Sequence, residues 1–190
     1  MIYIFLFLLI ALFNLGAVLF LILVLDSLVL GHDLPTSRKA AKALVKLIKQ
    51  YKPDAKIFYD LGCGRGTLTL RIKRELPSLL VYGVDNNPVR ILFAALKSKI
   101  LRQKIYFKKQ NIFQTDLGEI NIVYAYLWYD LMPLLEEKLQ RELKEGSIVI
   151  TNTSNFPNWK PKEIYIVHPK KPDFEKLFVY IKKDQGLKDI

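Results

Sequence analysis

The sequence predicts an α/β domain: an open, mostly parallel sheet of seven strands with an antiparallel end, preceded by one N-terminal apolar helix. Three observations carry this. Short apolar runs alternate with helix-periodic segments up to about residue 150, and two strand-like runs then follow one another. A glycine-rich turn, "FYDLGCGRGTL" over Phe58–Leu68, joins the first apolar run to the helix after it. The chain opens with a long apolar run, Ile2 to Leu25, interrupted only by Asn14 and Gly16.

As a helix that opening run is ~36 Å long at 1.5 Å per residue, enough to cross a hydrocarbon core of ~30 Å. A secretory signal peptide is the rival reading. No Lys or Arg precedes the run, it is longer than an h-region, and no A-x-A-like site closes it, so an uncleaved anchor is expected. Arg38, Lys39, Lys42, Lys46 and Lys49 follow the span and no Lys or Arg precedes it. The positive-inside rule then expects a single-pass membrane protein with its C-terminal domain in the cytoplasm. The expected organisation is an anchor over 1–30, an amphipathic connecting helix within 31–55, and a domain over 56–190.

Within "GHDLPTSRKAAKALVKLIKQY", Ala40, Leu44, Leu47, Ile48 and Tyr51 recur at helical spacing with Lys between them, and Ser37 or Thr36 is placed to cap the start. One face is expected on the domain and a basic face toward lipid. "KIFYD" (56–60) reads as the first strand, and "TLTLRIKREL" after the turn as a helix. "LLVYGVD" (79–85) is the second strand. "NNPVRILFAALKSKILR" is a helix with Pro88 suited to its first turn. "KIYFK" (104–108) is the third strand. "INIVYAYL" (120–127) is the fourth, apolar enough for a central parallel strand. "LMPLLEEKLQREL" is a helix and "SIVIT" the fifth strand. "KEIYIVH" and "KLFVYIKK" close the chain as an antiparallel pair.

The chain has 29 Lys and Arg against 18 Asp and Glu, a net charge of +11, and every Lys and Arg follows residue 30. Such a domain suits an anionic membrane surface. Plain solubility and nucleic-acid binding are the alternatives that charge alone leaves open. Cys63 is the only cysteine, which excludes an intramolecular disulfide and a Cys-based metal site and fits a reducing compartment. No metal is expected. His32 and His168 read as structural or surface residues.

Gly62, Gly64 and Gly66 form G-x-G-x-G directly after a strand. Glycine permits positive φ and close approach of a ligand to backbone, and the N–H groups opening the next helix are free to face it. A tight strand–helix connection needs the same residues. Asp85 ends the second strand about 20 residues on, the offset of a carboxylate that accepts ribose hydroxyls; capping of the following helix is its other possible role. The third glycine comes one residue too early for the dinucleotide fingerprint, and Asp60 would repel a pyrophosphate. No G-K-[ST] follows, so this is no P-loop. A carboxylate at that place attracts a ligand bearing ammonium and sulfonium groups.

"YDLGCGRG" followed by "VYGVDNNP" resembles the seven-β-strand, S-adenosylmethionine-dependent methyltransferases, which have a Rossmann-like sheet. The resemblance implies that Asp60, Gly62, Gly64 and Gly66 hold the methionine part, that Asp85 with Asn86 holds the ribose, and that Asn111 and Ile112 meet the adenine. "LPTSRKAAKALVKLI", "LEEKLQRELKEGSIVI" and "NWKPKEIYIV" are similar to the small protein-lysine methyltransferases related to the broad-specificity archaeal enzyme. That group includes membrane-anchored mitochondrial enzymes acting on the ATP synthase c-subunit and the adenine nucleotide translocase. It implies a protein substrate methylated on lysine, with a membrane protein among the candidates, and it implies that Pro35 and Thr36 help close the cofactor pocket. Arg65 stands where an acid is common, and Thr151, Asn152, Thr153 and Ser154 replace the usual S-[H/Y]-x-F-like run.

The acceptor is expected at the tip of the fourth strand, where Tyr126, Trp128, Tyr129 and Asp130 are candidates to shape an aromatic throat; Asn152, in the run after the fifth strand, is a further acceptor-site candidate. Packing of Tyr126 and helix-capping by Asp130 are the plain alternatives. "FPNWKP" reads as a rim loop. Three other functions stay in view: a methyltransferase for a lipid headgroup or small amphiphile, an RNA methyltransferase, and a non-catalytic S-adenosylmethionine-binding module. The lack of an N/D-P-P-[YF] run after the fourth strand makes nucleic acid an unlikely acceptor.

Overall fold

A computed structural model describes residues 1–29 and 35–183. The chain divides into two compact units, one ending at Leu34 and one beginning at Pro35. The expected roles of His32 and of the residues around it lie outside the described residues.

The first unit is one helix, α1 (Ile2–Val29). Its segment Ile2–Leu21 is long and apolar enough to cross a membrane. Asn14 does not break it, because its side-chain amide donates to the carbonyl of Ile10 one turn back, at 2.8 Å.

The second unit opens with α2 (Arg38–Tyr51). Ser37 is its N-cap, accepting from the Ala40 N–H at 3.1 Å. Ala40, Leu44, Leu47 and Ile48 share one face and are buried in the core, each large side chain contributing roughly 1.5–3 kcal/mol. Strand β1 (Ile57–Leu61), helix α3 (Thr67–Glu75), strand β2 (Leu80–Asp85) and helix α4 (Pro88–Ile100) follow. Then come β3 (Ile105–Lys109), β4 (Ile122–Ala125), α5 (Met132–Glu142), β5 (Ile148–Asn152), β6 (Glu163–Ile166) and β7 (Lys176–Ile181).

The seven strands form one sheet in the order β3-β2-β1-β4-β5-β7-β6. The first five pair in parallel; β7 pairs antiparallel with both β5 and β6. Every residue of β4 and β5 is buried, as their apolar content predicts for central strands, while β3 and β6 alternate as sheet edges do. Two apolar layers result. Phe58, Ile122, Ile150 and Val179 meet α2 and α3 on one face, and Leu61, Val123, Val149 and Tyr180 meet α5 on the other.

The fourth strand is shorter than the sequence predicts. It ends at Ala125, paired with Leu61 and Thr151. Leu61 enters the glycine turn, so Tyr126 and Leu127 lose one neighbouring strand and leave the sheet. Only a 3-10 turn, Ile112–Gln114, connects β3 to β4. On this part of the sheet Tyr59, Tyr82 and Tyr106 stack side by side, with ring centroids 4.6 and 4.9 Å apart.

Strand order runs outward from β1 to β3, then returns to β4 beside β1. The carboxyl ends of β1 and β4 therefore flank the point of reversal, where open α/β sheets bind ligands.

Candidate active site

The turn after β1 is built by backbone geometry. Gly62, Gly64 and Gly66 have φ of 78°, 53° and 72°, the left-handed region that favours glycine. The N–H groups of Gly62 and Cys63 donate to the Val84 carbonyl at 2.8 and 3.0 Å, tying the turn to β2. Two of the glycines also serve packing. A Cβ on Gly66 would lie 2.8 Å from the Ala94 Cβ, and one on Gly62 would lie 2.6 Å from Leu127. The glycines therefore serve the tight connection expected of them. Gly66 starts α3 with no side-chain cap, leaving the helix N-terminus to backbone donors.

Two buried carboxylates bracket this turn. Asp60, at the end of β1, accepts from the Thr69 hydroxyl at 2.8 Å. Asp85, at the end of β2, accepts the Gly64 N–H on Oδ2 and the Asn87 N–H on Oδ1, both at 2.9 Å. It fastens the turn to the second strand and keeps a lone pair on each oxygen. Asp85 is not the helix cap. Asn87 is, accepting from the Val89 and Arg90 N–H groups, with Pro88 in the first turn. Asn86 is exposed beside it. Asn111 caps the 3-10 turn after β3, and Ile112 packs half-buried against the α5-side layer.

The residues expected at the acceptor end separate into two groups. Tyr126 packs half-buried on the α2-side layer, while Trp128 and Tyr129 are 61% and 79% exposed. Asp130 does not cap α5; it belongs to the 3-10 turn Tyr129–Leu131, and α5 starts with no side-chain cap. Asn152, the last residue of β5, is fully buried. Its amide donates to the Tyr124 hydroxyl at 3.1 Å and to Glu175 Oε1 at 2.9 Å.

That amide is the middle of a network the sequence did not reveal. The Tyr124 hydroxyl lies 2.7 Å from that of Thr36. Ser37 donates to Glu175 Oε2 at 2.6 Å, and His168 Nε2 sits 3.2 Å from the same oxygen. Burial alone would push the Glu175 carboxyl up, but the bonds from Ser37, Asn152 and His168 outweigh it and hold the pKa below the ordinary glutamate value. Burial pushes the Tyr124 phenol far up, past the help of its partners, so it stays protonated. Asp60 and Tyr124 are register neighbours across β1 and β4, so the network abuts the cofactor turn.

The run after β5 holds one of the two non-glycine residues with positive φ among the described residues, the other being Arg102. Thr153 has φ of 66°, rare for a non-glycine residue. It is held by its N–H to the Lys176 carbonyl at 2.8 Å and its hydroxyl to Asn152 Oδ1 at 3.1 Å. The "FPNWKP" loop is pinned: Phe156 and Trp159 stack on each other and both pack tilted against Tyr180, and the Asn158 N–H donates to Glu136 at 3.1 Å. Among the described residues no cluster of three His, Cys, Asp or Glu is placed to hold a metal ion.

A sheet of this order, with an acid–glycine turn at the reversal point and a second acid closing β2, defines an S-adenosylmethionine-dependent methyltransferase. An RNA methyltransferase from Salinibacter ruber, solved with S-adenosyl-L-homocysteine, superposes with a TM-score of 0.69 at 19% identity, over 82% of this chain and 98% of that one. The chain belongs to the ANTKMT methyltransferase domain family, whose profile matches residues 60–163. Among its relatives, a protein-lysine N-methyltransferase of Saccharolobus islandicus is 29% identical over 68% of this chain and 81% of its own. The ATP synthase c-subunit lysine N-methyltransferase of Xenopus laevis is 24% identical over 63% of this chain, which spans about half (53%) of that enzyme. The donor set fits the cofactor: bare positive-φ backbone, an uncapped helix start and two buried carboxylates meet at one place.

Proposed function

We propose that this protein is a membrane-anchored protein-lysine methyltransferase. The observation that carries the reading is the extent of the family match, which runs from Asp60 through the acceptor end of the sheet to residue 163. Two relatives named as lysine methyltransferases match over much of the same chain. S-adenosylmethionine, when bound, supplies an electrophilic methyl group on a sulfonium.

In this reading Asp60 and the turn of Gly62, Gly64 and Gly66 hold the methionine end. Asp85 and Asn86 take the ribose, and Asn111 and Ile112 border the base. Tyr126, Trp128 and Tyr129 offer aromatic faces that attract a cationic side chain by roughly 0.5–2 kcal/mol. The lysine must lose its proton before it reacts, and its pKa of about 10.4 in water falls where the bound substrate enters a desolvated site. Tyr124 stays protonated and Glu175 is fully engaged, so neither is the base. Alignment does the rest, where bound geometry contributes about 7–11 kcal/mol. Asn152 positions the end of β5 under the acceptor. The long apolar helix α1 supports an anchor, and the cations after it support a cytoplasmic catalytic unit.

The test is transfer of labelled methyl from S-adenosylmethionine to membrane proteins, followed by mass spectrometry, comparing cells expressing the protein with cells expressing Asp60→Ala. Methyl-lysine absent from the variant is expected. Label in the organic phase, in nuclease-sensitive material, or in nothing despite intact cofactor binding overturns the lysine reading.

A further inference from the structure

Helices α2 and α4 treat their apolar residues in opposite ways. α2 buries its Leu and Ile against the sheet. α4 buries only Ala94 and Ser98, with Ile91, Phe93 and Ala95 half-buried, and leaves Leu92, Leu96 and Ile100 58%, 47% and 78% exposed. Those three recur every fourth residue, so they drift by only about 40° per step around the helix. On the same helical wheel their stripe lies roughly opposite Ala94 and Ser98. Leu101, just beyond the helix, is exposed as well. An amphipathic helix with its small residues inward and its large apolar residues outward gains nothing from the fold by that arrangement.

Charge indicates what covers the stripe. Lys99 flanks it on one side and Lys97 on the other, with Arg102 and Lys104 following. No acidic residue occurs between Asp85 and Asp116. A second copy seated on α4 by a two-fold axis would set these cations against one another. A nucleic acid would answer the cations but leave the Leu–Leu–Ile stripe in contact with phosphate. Anionic lipid answers both, because headgroups meet the cations while the apolar stripe enters the boundary with the acyl chains.

We propose that the outer face of α4 docks on an anionic bilayer surface, as a second membrane contact in addition to α1. The proposal rests on the reading of α1 as an anchor, since only residues 30–34 separate that helix from the catalytic unit in sequence. Ala94, on the inner face of α4, packs on the Gly66 turn. A docked α4 therefore holds the cofactor end of the cleft at a fixed height above the lipid.

The test uses the full chain in vesicles of phosphatidylcholine, with or without phosphatidylglycerol. Leu96→Trp places an indole in the stripe, and Leu134→Trp places one at an exposed site on α5 as a control; emission of Trp128 and Trp159 is subtracted using the unsubstituted chain. Lipids brominated near the headgroup quench only an indole that enters the bilayer. The expected result is loss of emission from position 96 in anionic vesicles, none from position 134, and recovery when Lys97→Gln, Lys99→Gln and Arg102→Gln are combined. Equal emission from position 96 with and without bromine overturns docking. Shielding of that position from aqueous acrylamide without quenching by bromolipid also overturns it, in favour of a protein partner or a second copy. Alkaline extraction of the same vesicles reads the anchor separately: a chain released by alkali sinks the reading of α1, while a chain retained without quenching at position 96 sinks only the docking of α4.

Discussion

Under the proposed function, the cofactor half and the acceptor half of the site are made of different material. At the tips of β1 and β2, the cofactor half is mostly backbone: three positive-φ glycines, the Val84 carbonyl, and two carboxylates fixed by Gly64, Thr69 and Asn87. These groups all come from residues 60–87, with Asn111 and Ile112 added from the end of β3 in the proposed reading. At the tips of β4 and β5, the acceptor half is made of side chains: Thr36, Ser37, Tyr124, Asn152, His168 and Glu175. These span most of the catalytic unit's sequence. A backbone cradle tolerates little change in its few special residues, whereas a side-chain network can be retuned one residue at a time. A shared cofactor with varied acceptors calls for that division.

Substitutions in each half sharpen or break the comparison. The largest effect is expected from Gly66→Ala, which combines a left-handed backbone with a Cβ 2.8 Å from Ala94. Thermal melts should show a loss of about 2–4 kcal/mol. Next is Asp60→Ala. It removes a charged partner worth about 1.5–3 kcal/mol, so calorimetry should read a roughly ten- to hundredfold weaker S-adenosylmethionine complex. Asn152→Ala removes one of the two partners of the Tyr124 hydroxyl, leaving Thr36, and takes the amide donor from Glu175 Oε1. It should cost about 1–3 kcal/mol of stability and slow turnover while leaving cofactor affinity in place. If Asn152→Ala weakens cofactor binding as much as Asp60→Ala does, the two halves are one unit and the division fails.

Glu175→Gln tests the network through pH. The folded carboxyl titrates below the ordinary glutamate value, so across that window the unfolded chain holds the proton more readily and stability rises with pH. The contribution is complete above the unfolded value of about 4.5 and disappears as pH falls through the folded one. The gap in Tm between wild type and Glu175→Gln should therefore stay constant near neutrality and narrow in acid. The smallest effect is expected from the exposed Tyr129: Tyr129→Ala should leave the Tm unchanged and raise the KM for acceptor a few-fold, as a loss of about 0.5–1 kcal/mol from one exposed ring implies.

The same division explains what was legible in the sequence. The strand–turn–helix unit around Asp60 and Gly62 is contiguous, and so are the Pro88 helix start and the apolar runs of β4 and β5. Period, propensity and turn chemistry are local and reveal them. Tyr124 reads as one more aromatic in a core strand, and Glu175 as a surface acid ahead of "KLFVYI". Nothing local says that these meet, because their partner Asn152 is brought between them only by the insertion of β7 next to β5. Asp130 and Asp85 failed as helix caps for a related reason. Cap geometry depends on where the preceding strand or turn releases the chain, and a shift of one or two residues passes the role to Asn87 or leaves it vacant.

The bond between Ser37 and Glu175 joins residues 138 positions apart. During translation α1 leaves the ribosome early, but the start of α2 has no carboxylate to receive its hydroxyl until the chain reaches Glu175, just ahead of β7. With α1 as the proposed anchor, a nascent chain can thus reach a membrane well before it can complete this network. A ribosome stalled ahead of residue 175 would then leave a chain that is anchored but lacks the network.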